Sequence, residues 1–120
     1  MNKFENLKVE YKIWFSSPQG EGILGDGKWK ILKKIDECGS LVSACENMGI
    51  TYRHTWNDLR KIEKMLGFQL LETVRGGQEG GSTRLSEEGR RLVKAFDVFH
   101  ERMDNIMQQE FTNLIEDLNK

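Results

Sequence analysis

The stretch SLVSACENMGITYRHTWNDLRKIEKML, residues 40–66, constrains the fold more than any other part of the chain. Two helix-period patterns meet there across a glycine. Leu41, Ala44, Cys45 and Met48 recur at the spacing of one buried helix face, and Gly49 ends the run. Tyr52, Thr55, Leu59, Ile62 and Leu66 form a second such face, closed by Gly67. Ser40 suits the N-cap of the first helix and Thr51 that of the second. Two short helices that cross steeply over a tight turn need a small residue at the crossing and often glycine in the turn. Ala44 and Cys45 supply the first, Gly49 the second, and Ile50 an apolar plug. The pattern is that of a helix-turn-helix.

The flanks extend it. LKVEYKIWFSS alternates, with Leu7, Val9, Tyr11, Ile13 and Phe15 on one face, and reads as a strand. SPQGEGILGDG, with the only proline and four glycines, reads as a turn. A helix opens near Asp26 or Gly27, carries Trp29, Ile31, Leu32, Ile35 and Cys38, and stops at Gly39. After Gly67 come a short strand, FQLLETVR, and a return strand at Thr83–Leu85. Ser86, with Glu87 and Glu88 in the first turn, starts a helix that can run to about Leu118. The expected fold is mainly α with small β: a winged helix-turn-helix with an N-terminal strand over residues 1–85, and a long C-terminal helix over 86–120.

That last helix carries Leu92, Phe96, Phe99, Met103 and Ile106 at spacings of 4, 3, 4 and 3, then Met107, Phe111, Leu114 and Leu118. The first part is a coiled-coil seam, shifted by one residue near Ile106. So long a stripe outruns the core of one small domain, and a homodimer is expected.

VRGGQEGGSTRLS raises a different possibility, since glycine-rich loops can cradle phosphate. A Walker loop needs lysine after its second outer glycine, and Ser82 stands there instead. A dinucleotide fingerprint needs other spacing and a following helix, and Glu79 would repel phosphate. Glycine is also what a tight turn between antiparallel strands requires, so the loop reads as the wing.

The net charge of −1 favours no partner, but its distribution does. Residues 1–85 carry 13 Lys/Arg against 11 Asp/Glu, and residues 86–120 carry 5 against 8. On the third helix Arg53, Asn57, Arg60 and Lys64 gather opposite the apolar face, with His54 and Lys61 on the flank and no acidic residue on the centre line. Arginine suits guanine edges and phosphates, asparagine adenine, and lysine phosphates. A solvated face is the bland alternative; directly after a helix-turn-helix turn, DNA contact is the better account. Trp56, beside Leu59, reads as a core anchor. The candidate DNA-contacting residues are Ser40, Thr51, Tyr52, Arg53, His54, Asn57, Arg60, Lys61, Lys64, Arg75, Gln78, Thr83 and Arg84.

GSLVSAC, then MGITYRHTW, then VRGGQEGGSTRLSEEGRRL together resemble the N-terminal DNA-binding domain of the bacterial molybdate-responsive regulators, the ModE family, itself akin to LysR-type regulators. The resemblance covers about residues 25–95. It implies a dimer on a palindromic operator that regulates transcription, with Tyr52, Arg53, His54 and Asn57 at the groove-facing end of the recognition helix. Two departures stand out. The family prefers alanine where Cys45 stands, and after the long helix no residues remain for an oxyanion pocket. Molybdate sensing is therefore not carried over, and a regulator without its own sensor domain is expected.

Other classes fare worse. Two distant histidines and no activated nucleophile give no catalytic set, and no cofactor or metal ligand set is expected. Cys38 and Cys45 read as buried free thiols of a cytoplasmic protein. The N-terminus lacks a signal-peptide run, and no membrane span is expected. A protein-docking module using the C-terminal helix is the alternative. A small-molecule sensor lined by Tyr11, Trp14 and Trp29 is a further one, although such aromatics are more often core.

Overall fold

The computed structural model describes residues 4–75 and 82–120. Its elements are β1 (Trp14–Ser16), β2 (Gly22–Gly25), α1 (Asp26–Cys38), α2 (Leu41–Met48), α3 (Tyr52–Leu66), β3 (Leu71–Val74), β4 (Ser82–Leu85) and α4 (Glu87–Leu118). Two antiparallel ribbons, β1–β2 and β3–β4, flank a helical core. This is the winged-helix order with a long C-terminal helix.

Helix boundaries follow the caps. The Ser40 hydroxyl accepts from the Ser43 N–H at 3.1 Å, and the Ser86 hydroxyl accepts from the Gly89 N–H at 2.9 Å. Each such cap is worth about 1 kcal/mol. Gly49, at φ +66°, reverses the chain between α2 and α3 in a region that L side chains avoid. Thr51 holds the N-cap position of α3, but its side chain makes no cap bond; its carbonyl instead accepts from the Thr55 hydroxyl at 2.8 Å.

One core joins the elements: Leu24 of β2, Leu32 and Ile35 of α1, Leu41, Ala44 and Cys45 of α2, Leu59 and Ile62 of α3, Leu71 and Leu85 of the second ribbon, and Val93 of α4. Ala44 is fully buried, as the close α2–α3 approach demands. Cys45 is buried, whereas Cys38 is only half-buried. Trp56 and Trp29 pack against the rim of this core.

The N-terminal segment departs from expectation. The alternation from Leu7 predicts one strand, yet only Trp14–Ser16 is paired. Its partner β2 lies in the stretch whose glycines predict a turn. A strand persists only where its N–H and C=O groups find a partner, and β2 offers four residues. The predicted apolar face still leans inward, with Tyr11 and Ile13 half-buried, while Leu7 stays exposed. Phe15 meets Phe96 of α4 edge-on at 5.3 Å between ring centroids.

Candidate nucleic-acid interface

Three features position α3: the turn at Gly49, its buried face, and a carboxylate whose role periodicity does not reveal. Thr55, Leu59 and Ile62 point into the core. The helical period then forces Arg53, His54, Asn57, Lys61 and Lys64 outward, and all five are exposed. Tyr52, expected on the apolar face, is exposed as well, because the first turn of α3 overhangs the core. No acidic residue lies on this strip. It can therefore present cations and a bidentate amide to one surface.

The acidic residues of α3 are drawn aside. Asp58 bonds the Lys28 ammonium of α1 at 2.8 Å, with His54 Nε2 3.4 Å from the same oxygen. The Lys28 hydrogen bond, more than the charges of Lys28, His54 and Lys61, holds Asp58 below the usual carboxylate range. Asp58 thus ties α3 to α1 and lies off the outer strip.

Glu63 goes inward. It is 7% exposed, and its Oε2 accepts from the N–H groups of Leu70 at 2.7 Å and Leu71 at 2.9 Å. Its Oε1 accepts from Arg60 Nη1 at 2.7 Å, and the Arg60 guanidinium lies 5.0 Å from the Trp56 ring centroid. Arg60, expected with Lys64 on the outer strip, is therefore engaged with its own helix. A glutamate beside a buried face, three residues after an arginine, is the signal in the sequence for this link; only the tertiary fold shows that strand amides complete it.

The second ribbon pairs Leu71 with Leu85, Glu72 with Arg84, Thr73 with Thr83 and Val74 with Ser82. Arg84 Nε donates to Glu72 Oε1 at 2.8 Å across the strands. Thr83 is half-buried, and Arg75 is exposed at the end of β3. Gln78 and the glycine tip of the expected wing lie outside the described residues. Ser40 sits at the N-terminus of α2 with its hydroxyl committed to the cap, and Thr51 is exposed before α3. The structure thus gathers Arg53, His54, Asn57, Lys61 and Lys64 on one helix face, while Tyr52 stands exposed on the other side of the first turn. Arg75, Thr83 and Arg84 stand on a separate ribbon, and Ser40 on α2.

The chain is similar in sequence to known transcriptional regulators. A ModE transcriptional regulator from Haemophilus influenzae is 32% identical over 84 residues, covering 68% of this chain and 33% of that one. A DNA-binding transcriptional dual regulator ModE from Escherichia coli is 27% identical over 111 residues, covering 92% and 37%. The chain spans about a third of the length of these curated relatives. Among solved structures it is similar to ArgP from Mycobacterium tuberculosis, at 20% identity and a TM-score of 0.45, covering 68% of this chain and 30% of that one. The model for the bacterial regulatory helix-turn-helix proteins of the lysR family matches residues 27–90, from α1 into the first turn of α4. The chain belongs to that family.

Proposed function

We propose that the protein binds double-stranded DNA sequence-specifically as a homodimer and regulates transcription from the cytoplasm. Residues 1–85 act as the DNA-binding unit and residues 86–120 as the dimerisation helix. In this reading α3 enters the major groove, the β3–β4 ribbon lies along the backbone, and α4 pairs with a second copy. The observation that carries it is the outer strip of α3, cationic and free of acids, directly after the Gly49 turn. Arg53 and Asn57 are the base-reading residues; Lys61 and Lys64 hold phosphates, and Arg75 and Arg84 do so from the ribbon. The relatives, one named a transcriptional regulator and the other a DNA-binding transcriptional dual regulator, support the DNA-binding and regulatory part of this reading.

The test is selection from a pool of random duplexes, with sequencing of the bound fraction, at two salt concentrations. An inverted repeat should be enriched, and affinity should fall steeply with salt. An unenriched pool bound weakly and without salt dependence would overturn the proposal.

A further inference from the structure

We infer that Glu63 is a positioning residue for DNA binding: it fixes the angle between the recognition helix and the ribbon, and touches no nucleic acid itself. The inference rests on the DNA-binding reading above. Glu63 stands in the penultimate turn of α3, nine-tenths buried. Its Oε2 accepts from two successive N–H groups, those of Leu70 and Leu71, where the chain enters β3. Two amides converging on one carboxylate oxygen fix both the distance and the direction of the strand relative to the helix. A single bond would leave a hinge.

The same junction is braced from the other side. Ser86, which starts α4, donates its hydroxyl to the Gln69 carbonyl at 2.6 Å, and its N–H bonds the Leu70 carbonyl at 2.8 Å. Leu70 therefore has its N–H on α3 and its carbonyl on the α4 cap. The ribbon leaves the body of the protein between these two clamps, with Arg75 and Arg84 beyond them. Of the two, the Glu63 clamp is the one that joins the ribbon directly to the recognition helix.

Arg60 holds the other carboxylate oxygen. This separates two roles that one experiment can distinguish. Glu63→Gln keeps a carbonyl oxygen for the two strand amides and turns an NH2 toward Arg60, so it gives up the arginine and keeps the clamp. Glu63→Ala removes both. Glu63→Asp keeps the charge on an arm shorter by one methylene and reaches the amides only by drawing the ribbon inward; it serves where Glu63→Ala does not fold. Ile62→Val, a core change on the same helix, is the control for reduced stability alone.

Two measurements on the full chain decide. The first is the salt dependence of binding to a random-sequence duplex. The wild type and Glu63→Gln should share one slope. Glu63→Ala, or Glu63→Asp in its place, should be shallower by about 0.9 for each phosphate that the ribbon no longer neutralises, or roughly one to two in all. The second is the distance between nitroxide labels at His54→Cys and Thr73→Cys, in a Cys38→Ser, Cys45→Ala background without DNA. It should be narrow in the wild type and in Glu63→Gln, broadened by Glu63→Ala, and shortened by Glu63→Asp. Wild-type slope and wild-type label distances in a folded Glu63→Ala or Glu63→Asp would overturn the inference and leave Glu63 as a buried structural residue, grouped with Ile62→Val. If the wild type itself shows no salt-dependent affinity, the DNA-binding reading fails and the inference with it. The label distances then report separately whether Glu63 sets the angle.

Discussion

Arg60 and Lys64 lie one turn apart on α3 and do different work. Lys64 is exposed in the last turn, where its charge also suits the helix dipole. Arg60 is clasped between a buried carboxylate and an indole. Lys64→Ala should weaken binding to every duplex alike, make the salt slope shallower by about 0.9, and leave the melting temperature nearly unchanged. Arg60→Ala should instead cost about 1–3 kcal/mol of stability, because it strips a partner from a buried charge, while the slope stays close to wild type. Anisotropy titrations and thermal melts of both variants separate the cases; an Arg60→Ala protein of wild-type stability and reduced slope would reverse the assignment. Gly89 is a second residue whose smallness matters. A Cβ there would lie 2.6 Å from the Leu70 carbonyl oxygen, which is backbone and cannot swing away. Gly89→Ala should therefore push α4 off the backbone at Leu70, just before β3, and cost about 1–3 kcal/mol, read as a lower melting temperature.

At the level of elements, the N-terminal segment ahead of β1 reaches α1 and α4 through polar contacts. The Tyr11 hydroxyl donates to Asp104, and the Ile13 N–H reaches Asp26 Oδ2 at 3.4 Å. His100 stacks on Trp29 at 5.4 Å, with Asp26 and Asp104 on either side. The hydrogen bond to Asp104, ahead of desolvation and the charges of Asp104 and Asp26, pushes the Tyr11 hydroxyl up to about 12. That same bond, ahead of the pull of His100, holds Asp104 below the usual carboxylate range. Because the Asp104 value is depressed on folding, its contribution is present above the ordinary value of about 3.9 and is lost as pH falls through the depressed one. The Tyr11 value is raised, so its contribution is present below about 10 and is lost as pH climbs toward about 12. Tyr11→Phe should thus melt earlier than wild type at neutral pH, and the gap should close in acid; a gap constant from neutral pH to about pH 2 would show that the Asp104 charge adds nothing to the bond. These tertiary contacts also mark where the sequence stops being legible. Helix ends are readable because Ser40, Gly49, Gly67 and Ser86 act locally, and the outer strip of α3 because 3.6-residue periodicity places it. β2 is not readable, since Ile23 and Leu24 among glycines show no period of their own. Nor are the strand amides that take Glu63 Oε2 and the Glu72 partner of Arg84, which lie outside the elements of the residues they bind.

For the whole molecule, which extends 66 × 32 × 23 Å, the radius of gyration of 18.7 Å exceeds the roughly 14 Å of a compact chain this long. The excess is α4, whose 32 residues span about 48 Å. Its first turns pack on the core through Val93 and Phe96, the former outside the apolar stripe that the spacing predicts. Farther along, Phe99, Ile106, Leu114 and Leu118 remain exposed at helical spacing. A second copy laid against this stripe would cover it and set two recognition helices under one two-fold axis, as half-sites about 34–36 Å apart require. Ile106 is 54% and Leu114 51% exposed, so glutamate at both positions should leave the single chain folded. In a dimer the same charges would be buried without partners, at a cost that pairing cannot meet. Ile106→Glu with Leu114→Glu should therefore sediment at half the wild-type mass, keep its helical circular dichroism, and lose its preference for an inverted repeat over a single half-site. A wild type that sediments as a monomer, or a double variant that still sediments as a dimer, would place the dimer contact elsewhere or remove it.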